Sequence, residues 1–231
     1  MKRIGLLGGM SWESTALYYR AINERVAARL GGFHSADLLL ASVDFADIER
    51  MQAADDWDGA TALLGERARS LADADAELLV LCTNTMHMVS DGIEAAAGIP
   101  LLHIADPTGV ALTRGGHRRV GLLGTRFTME RDFYRTRLEQ KFGLEVLVPE
   151  PADRDTVHRI IYDELVHGTV TDASHAEYRA VIDRLVAAGA DAVILGCTEI
   201  TLLVGPDDSP VPVFDTTALH ARAAVDAALA R

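Results

Sequence analysis

The chain carries much of its text twice. Residues 2–9 read KRIGLLGG and residues 118–125 read RRVGLLGT. DAELLVLCTNT at 75–85 is echoed by GADAVILGCTEI at 189–200, and IPLLHIADPT at 99–108 by VPVFDTT at 211–217. Gly5 and Gly121 lie 116 residues apart, and Cys82 and Cys197 lie 115 apart. Landmarks that recur at nearly one offset restrict a chain of this kind to two similar lobes, related by an approximate two-fold axis. With 231 residues, each lobe is large enough to bury its own core.

The type of lobe follows from the period of the apolar residues. Short continuous apolar runs predict strands over 4–7, 38–43, 78–81, 101–104, 120–123, 146–148, 192–195 and 211–214. Runs without polar alternation suit parallel strands covered on both faces. Longer amphipathic stretches between them predict helices over 13–30, 58–74, 129–142, 153–167, 173–188 and 217–230. Strand–helix alternation predicts an α/β fold of two doubly wound lobes, each a mainly parallel sheet flanked by helices. The last helix is expected to return to the first lobe, giving lobes of 1–105 plus 216–231 and of 106–215. In such sheets ligands bind beyond the carboxyl ends of the strands, so a site in the cleft between the lobes is expected.

Charge and composition exclude several classes. A formal net charge of −12 argues against nucleic acid or an anionic membrane as partner. No apolar run is long enough to span a bilayer, and MKRIGLLGG reaches glycine too early for a signal peptide. A cytoplasmic setting is expected, in which two cysteines remain thiols.

Both cysteines end an apolar run and precede threonine, one in each half. A single buried cysteine is usually a small hydrophobe. Two matched ones call for another account. A zinc site from Cys82, His87 and Cys197 lacks close-spaced ligand pairs. Two-base proton transfer at a carbon fits better, since inversion needs an acid and a base of one kind on opposite faces. Helix N-termini just after the cysteines would lower their pKa values and offer amides to a carboxylate, with Thr83, Asn84, Thr85 and Thr198 as caps.

At these residues the chain resembles the aspartate/glutamate racemase family, which works without pyridoxal phosphate. The matching segments are GLLGGMSWEST (5–15), LCTNTMH (81–87), LGT (123–125), IIYDEL (160–165) and GCTEI (196–200). The resemblance implies Cys82 and Cys197 as the acid/base pair, no cofactor and no metal, a small amino-acid substrate and a homodimer. Glutamate racemases usually carry Asp-Ser near the first glycine turn and a histidine after the second Cys-Thr. Here Gly8-Gly9-Met10-Ser11 and Glu199 stand at those places. That resembles the aspartate racemase and broad-specificity branch. Maleate isomerase, arylmalonate decarboxylase and hydantoin racemase chemistry are the enzymatic alternatives, and a catalytically silent small-molecule binder is the alternative of another class.

Met10 and Ser11, in the first strand–helix turn, are expected ligand contacts. Glu199 either receives the substrate ammonium, orients Cys197, or is only a first-turn acid favoured by the helix dipole. The resemblance places a side-chain specificity loop at DFADIERMQ (44–52), where Gln52 is a binding residue and Arg50 either pairs with a second carboxylate or lies on a solvated face. Strict aspartate racemases are expected to present two basic groups. Residues 158–168 offer His158, Arg159 and His167 but no lysine. His87 and His103 are expected to be packing or hydrogen-bonded histidines, and Trp12, Tyr18 and Tyr19 core or lobe-interface aromatics, with Trp12 alternatively shaping the pocket entrance.

Overall fold

The computed structural model describes residues 1–230. It divides into two units, Met1–His103 with the chain from His220 onward, and Ile104–Leu219. The first unit holds β1 (Ile4–Gly8), α1 (Trp12–Leu30), β2 (Leu38–Ser42), α2 (Phe45–Ala53), α3 (Trp57–Asp73), β3 (Leu78–Leu81), α4 (Ser90–Ala97) and β4 (Leu101–Leu102). The second holds α5 (Ala105–Arg114), β5 (Arg119–Gly124), α6 (Arg126–Glu130), α7 (Asp132–Phe142), β6 (Glu145–Leu147), α8 (Pro151–Asp163), α9 (Asp172–Ala187), β7 (Ala192–Gly196) and β8 (Val213–Asp215). A last helix, α10 (Thr216–Leu229), starts in the second unit and continues into the first.

Each unit has one parallel four-stranded sheet, and the two strand orders match: β2-β1-β3-β4 and β6-β5-β7-β8. The inner strands β1, β3 and β7 are wholly buried, as continuous apolar runs require. Successive side chains alternate between sheet faces, and the cores follow that alternation. In the first unit, Leu7, Leu79 and Leu81 pack with Ile48, Leu64 and Ile93 of α2, α3 and α4. On the opposite face Ile4, Leu6 and Val80 pack with Tyr18 and Ile22 of α1 and with Ala221 and Val225 of α10. In the second unit, Leu123, Val193 and Leu195 face α8 and α9, while Val120, Leu122 and Ile194 face α5 and α7.

Several local expectations give way to tertiary context. The segment expected as a specificity loop is the helix α2. Asp44 caps it, its side chain accepting from Ala46 N at 3.0 Å, and Ile48 and Gln52 bury one face four residues apart. The helix expected over 129–142 is two, broken at Arg131, whose backbone is extended (φ −84°, ψ 145°). The helix expected over 153–167 ends at Asp163, followed by a 3₁₀ turn, Leu165–His167. Tyr18 is buried as expected, but Trp12 and Tyr19 lie on the surface.

Candidate active site

In the first unit the site is built at the carboxyl ends of β1 and β3. Gly9 makes the turn after β1 at φ +93°, and a Cβ there would fall 2.2 Å from Val43 O, so only glycine fits. The turn delivers Ser11 as the cap of α1, its Oγ accepting from Ser14 N at 3.2 Å. Ser14 Oγ donates to Cys82 O at 3.2 Å, tying α1 to the end of β3. Met10 packs in the α2/α3 face of the core. Gln52 is buried, its Nε2 donating to Met86 Sδ at 3.0 Å. Asn84 and Thr85 are buried and Thr83 is partly exposed.

Cys82 has no exposed surface and packs with Ile4, Leu6, Tyr18 and Val80. Its Sγ lies 3.8 Å from Val80 O. Burial pushes the thiol far above its ordinary range. Next to it stands a set of buried histidines. His87 Nδ1 donates to Thr83 O at 2.7 Å, and its ring lies 4.7 Å from that of His103 and 5.6 Å from that of His220. His220 Nε2 faces Leu102 O at 2.7 Å, and a carbonyl only accepts, so this nitrogen donates. Nδ1 then accepts from the Tyr18 hydroxyl at 2.8 Å. Burial first, and His103 second, hold His87 well below the ordinary imidazole range. His87 and His103 are buried against each other, and His87 is hydrogen-bonded as well.

In the second unit Cys197 follows β7 and is partly exposed. Its Sγ donates to Glu199 Oε2 at 2.9 Å. Burial raises the thiol well above its ordinary range, and the Glu199 charge and hydrogen bond raise it further; backbone N–H groups of Glu199 and Thr198 oppose them. Glu199 is buried, and Thr198 Oγ1 lies 2.8 Å from Thr217 Oγ1 at the start of α10.

Two expectations are corrected here. The segments after the cysteines start as 3₁₀ turns, Thr85–Val89 and Thr198–Leu202, with no side-chain cap on either. Desolvation therefore prevails, and both thiols lie above rather than below their ordinary range. Nor are the two thiols at equivalent stations. In the register, Gly8 precedes Gly9 as Gly124 precedes Thr125, Leu7 pairs with Leu81, and Gly124 pairs with Gly196. The station of Cys82 is thus that of Gly196, and Cys197 stands one residue further on. A one-residue step reverses the face. Cys82 accordingly packs toward α1 and α10, and Cys197 toward the α8/α9 core.

Of the basic residues considered for a second carboxylate, Arg50, Arg159 and His158 are engaged elsewhere, and His167 is exposed. Arg50 is 70% exposed along its side chain and pairs with Asp47 at 2.6 Å. Arg159 pairs with Glu164 at 3.2 Å and Glu177 at 2.9 Å. His158 Nδ1 accepts from Arg126 N at 3.2 Å, its ring 4.6 Å from that of Tyr162. Among the described residues no group of three or more His, Cys, Asp or Glu is placed to hold a metal ion, which the zinc alternative needs. Among them, too, no helix is long and apolar enough to cross a membrane. Ser14, Thr217 and His220 also belong to the site's surroundings, and no local pattern marks them: Ser14 lies within SWEST, but its bond to Cys82 exists only in the fold.

The family model described as Asp/Glu/Hydantoin racemase matches residues 7–224. A Yersinia pestis crystal structure, provisionally assigned as an Asp/Glu racemase, is 57% identical, with all of both chains covered and a TM-score of 0.94. An aspartate racemase homologue from Pyrococcus horikoshii OT3 is 34% identical over 99% of each chain, with a TM-score of 0.82. Among curated relatives, the glutamate racemase of Persephonella marina is 28% identical over 54% of this chain, and the match spans only 47% of that enzyme. The chain belongs to the Asp/Glu/hydantoin racemase family.

Proposed function

We propose that this protein is a cofactor-independent racemase of free α-amino acids, with Cys82 and Cys197 as its two acid/base groups. The observation that carries the reading is the placement of one thiol just beyond the carboxyl end of β3 and one beyond β7, the corresponding strands of two sheets with the same order. Ligand chemistry in parallel α/β sheets gathers at those ends.

The reaction balances with two thiols and no other reagent. A thiolate on one face takes the α-proton; an S–H bond forms and the C–H bond breaks. The electron pair is held by delocalisation into the substrate carboxylate. The thiol on the other face delivers its proton to the same carbon, leaving the mirror-image product and the opposite thiolate. The enantiomer reverses the roles. Thr83, Asn84, Thr85 and Thr198, at the two strand ends, hold the carboxylate as its charge grows.

Glu199 acts on Cys197 rather than on the substrate ammonium; its carboxylate already accepts the thiol proton at 2.9 Å. Met10, Ser11 and Gln52 line the substrate side of the first lobe. Gln52 is a neutral amide beside a thioether, and Arg50 and Arg159 are held by carboxylates. This supports uncharged side chains over a strict aspartate specificity. A reducing cytoplasmic setting suits the free thiols, and a homodimer is the assembly implied by the family.

The test is exchange in D₂O. Purified protein is incubated with each L-amino acid under reducing conditions, with loss of the α-proton signal followed by NMR and D-product by chiral chromatography. Racemisation of a subset of amino acids, absent in both Cys82→Ala and Cys197→Ala, is the expected result. No exchange with any amino acid overturns the reading and turns the search to dicarboxylates such as maleate.

A further inference from the structure

The helix α1 is apolar on two faces. One face enters the core through Tyr18, Ile22 and Val26. The other carries Trp12, Ala16, Tyr19, Asn23, Ala27 and Leu30, spaced three or four residues apart, and none of them is buried. Trp12 is 69% exposed, Tyr19 53% and Leu30 44%. Spacing of this kind produces a seam for a second helix. Beside it runs β2, the edge strand of its sheet, reading LLLAS with neither charge nor proline. Leu40 on that strand is 47% exposed. Helix and strand enclose a surface cleft of about 650 Å³, lined in part by Trp12, Tyr19 and Leu40. An uncharged apolar edge strand is a liability unless something covers it.

We propose that this face is where two copies of the chain pair, their α1 helices antiparallel across a two-fold axis. The inference rests on the dimer reading above and adds the surface and its register. A seam that pairs with itself must be complementary to its own reverse, and this one is. With the two-fold axis between residues 21 and 22, Trp12 meets the partner subunit's Leu30, an aromatic against an aliphatic side chain. Ala16 meets the partner subunit's Ala27, two small residues that let the helices approach closely. Tyr19 meets the partner subunit's Asn23.

The charges agree with the same register. Arg20 and Glu24 flank the seam one turn apart, and among the described residues neither side chain has an ion pair or hydrogen bond. Reversal brings Arg20 toward the partner subunit's Glu24, twice over. A chain of net charge −12 resists its own copy over most of its surface. On this face the two lining charges, Arg20 and Glu24, cancel.

Sedimentation velocity over roughly a hundredfold range of concentration reads the outcome. The wild type is expected at about twice 24.9 kDa. Trp12→Asp and Tyr19→Asp, both at exposed positions, are expected to sediment as monomers with unchanged circular dichroism. Arg20→Glu and Glu24→Arg should each weaken association about tenfold by setting like charges opposite one another. An equimolar mixture of these two should recover the wild-type association, because each then meets the opposite sign. A wild type that stays monomeric throughout overturns both the dimer and this surface. A dimer indifferent to Trp12→Asp and Tyr19→Asp overturns the surface alone. A mixture that does not recover overturns the antiparallel register.

Discussion

Cys82 and Cys197 stand at the ends of corresponding strands in sheets of one topology, yet their surroundings differ in kind. Cys82 is enclosed by aliphatic and aromatic side chains, and the carbonyl near its sulfur is 3.8 Å away. Cys197 is partly exposed and donates to a buried carboxylate at 2.9 Å. Burial raises both thiols; only the second is raised by a charge as well. The difference teaches that a duplicated backbone need not duplicate its electrostatics. On the proposed mechanism each enantiomer meets a chiral protein, so the two thiols, alike in kind, need not share one electrostatic setting.

The largest effect expected from this asymmetry is in exchange without inversion. On the two-thiol mechanism, Cys82→Ala and Cys197→Ala should each lower racemisation by more than about 10³-fold, since removing an essential acid or base removes its whole contribution. Each should still exchange the α-proton of one enantiomer, and the two variants should favour opposite enantiomers. Exchange of the same enantiomer by both variants would show that the thiols do not serve opposite faces.

A smaller effect isolates the carboxylate. Glu199→Gln removes a charge that raises the Cys197 thiol, so its titration should move to lower pH. Alkylation of Cys197 by iodoacetamide should then begin at lower pH than in the wild type, while Cys82, without exposed surface, stays the slower thiol in both proteins. Turnover should fall about 10²-fold as the proton acceptor beside Cys197 is lost. An unmoved alkylation profile would mean that the 2.9 Å contact does not govern the thiol.

Much of this was legible in the sequence. The repeat predicted two α/β lobes, and every expected strand overlaps an observed one, because continuous apolar runs between helical stretches have few other uses in a parallel sheet. What escaped depended on register and on tertiary contact. Glu77 and Asp191 stand at equivalent places, their N–H groups donating to Arg3 O and Arg119 O, and five and six steps lead from them to Cys82 and Cys197. That single step puts the two thiols on opposite faces of their sheets, but it acquires meaning only once Leu81 and Leu195 are seen at equivalent pairings. The solvated helical face that was one alternative for Arg50 is the outer side of α2, whose buried anchors Ile48 and Gln52 show only in the fold. The histidine cluster joins residues 87, 103 and 220, and no local pattern relates positions so far apart.

The units also differ in what acid should undo first. In the first, His87 is held neutral well below its ordinary 6.5 by burial and by His103. The unfolded chain takes up that proton more readily, so the contribution of His87 is complete above about pH 6.5 and declines as the pH falls below it. In the second, burial raises the Asp106 carboxyl, but Arg137, at 2.6 and 2.9 Å, and Lys141, at 2.8 Å, overcome this and hold it at about 2 rather than 3.8. Its contribution, about 2 kcal/mol, is complete above about pH 4 and is lost only as the pH falls toward 2. Hydrogen exchange followed by mass spectrometry, corrected for the intrinsic pH dependence, should show α1 and α10 losing protection at a higher pH than α5 and α7. Asp106→Asn should remove the second unit's advantage by weakening α5 and α7 at neutral pH, with α1 unchanged. Loss of protection at one common pH in the wild type would show that the two units unfold as one and that these groups do not distinguish them.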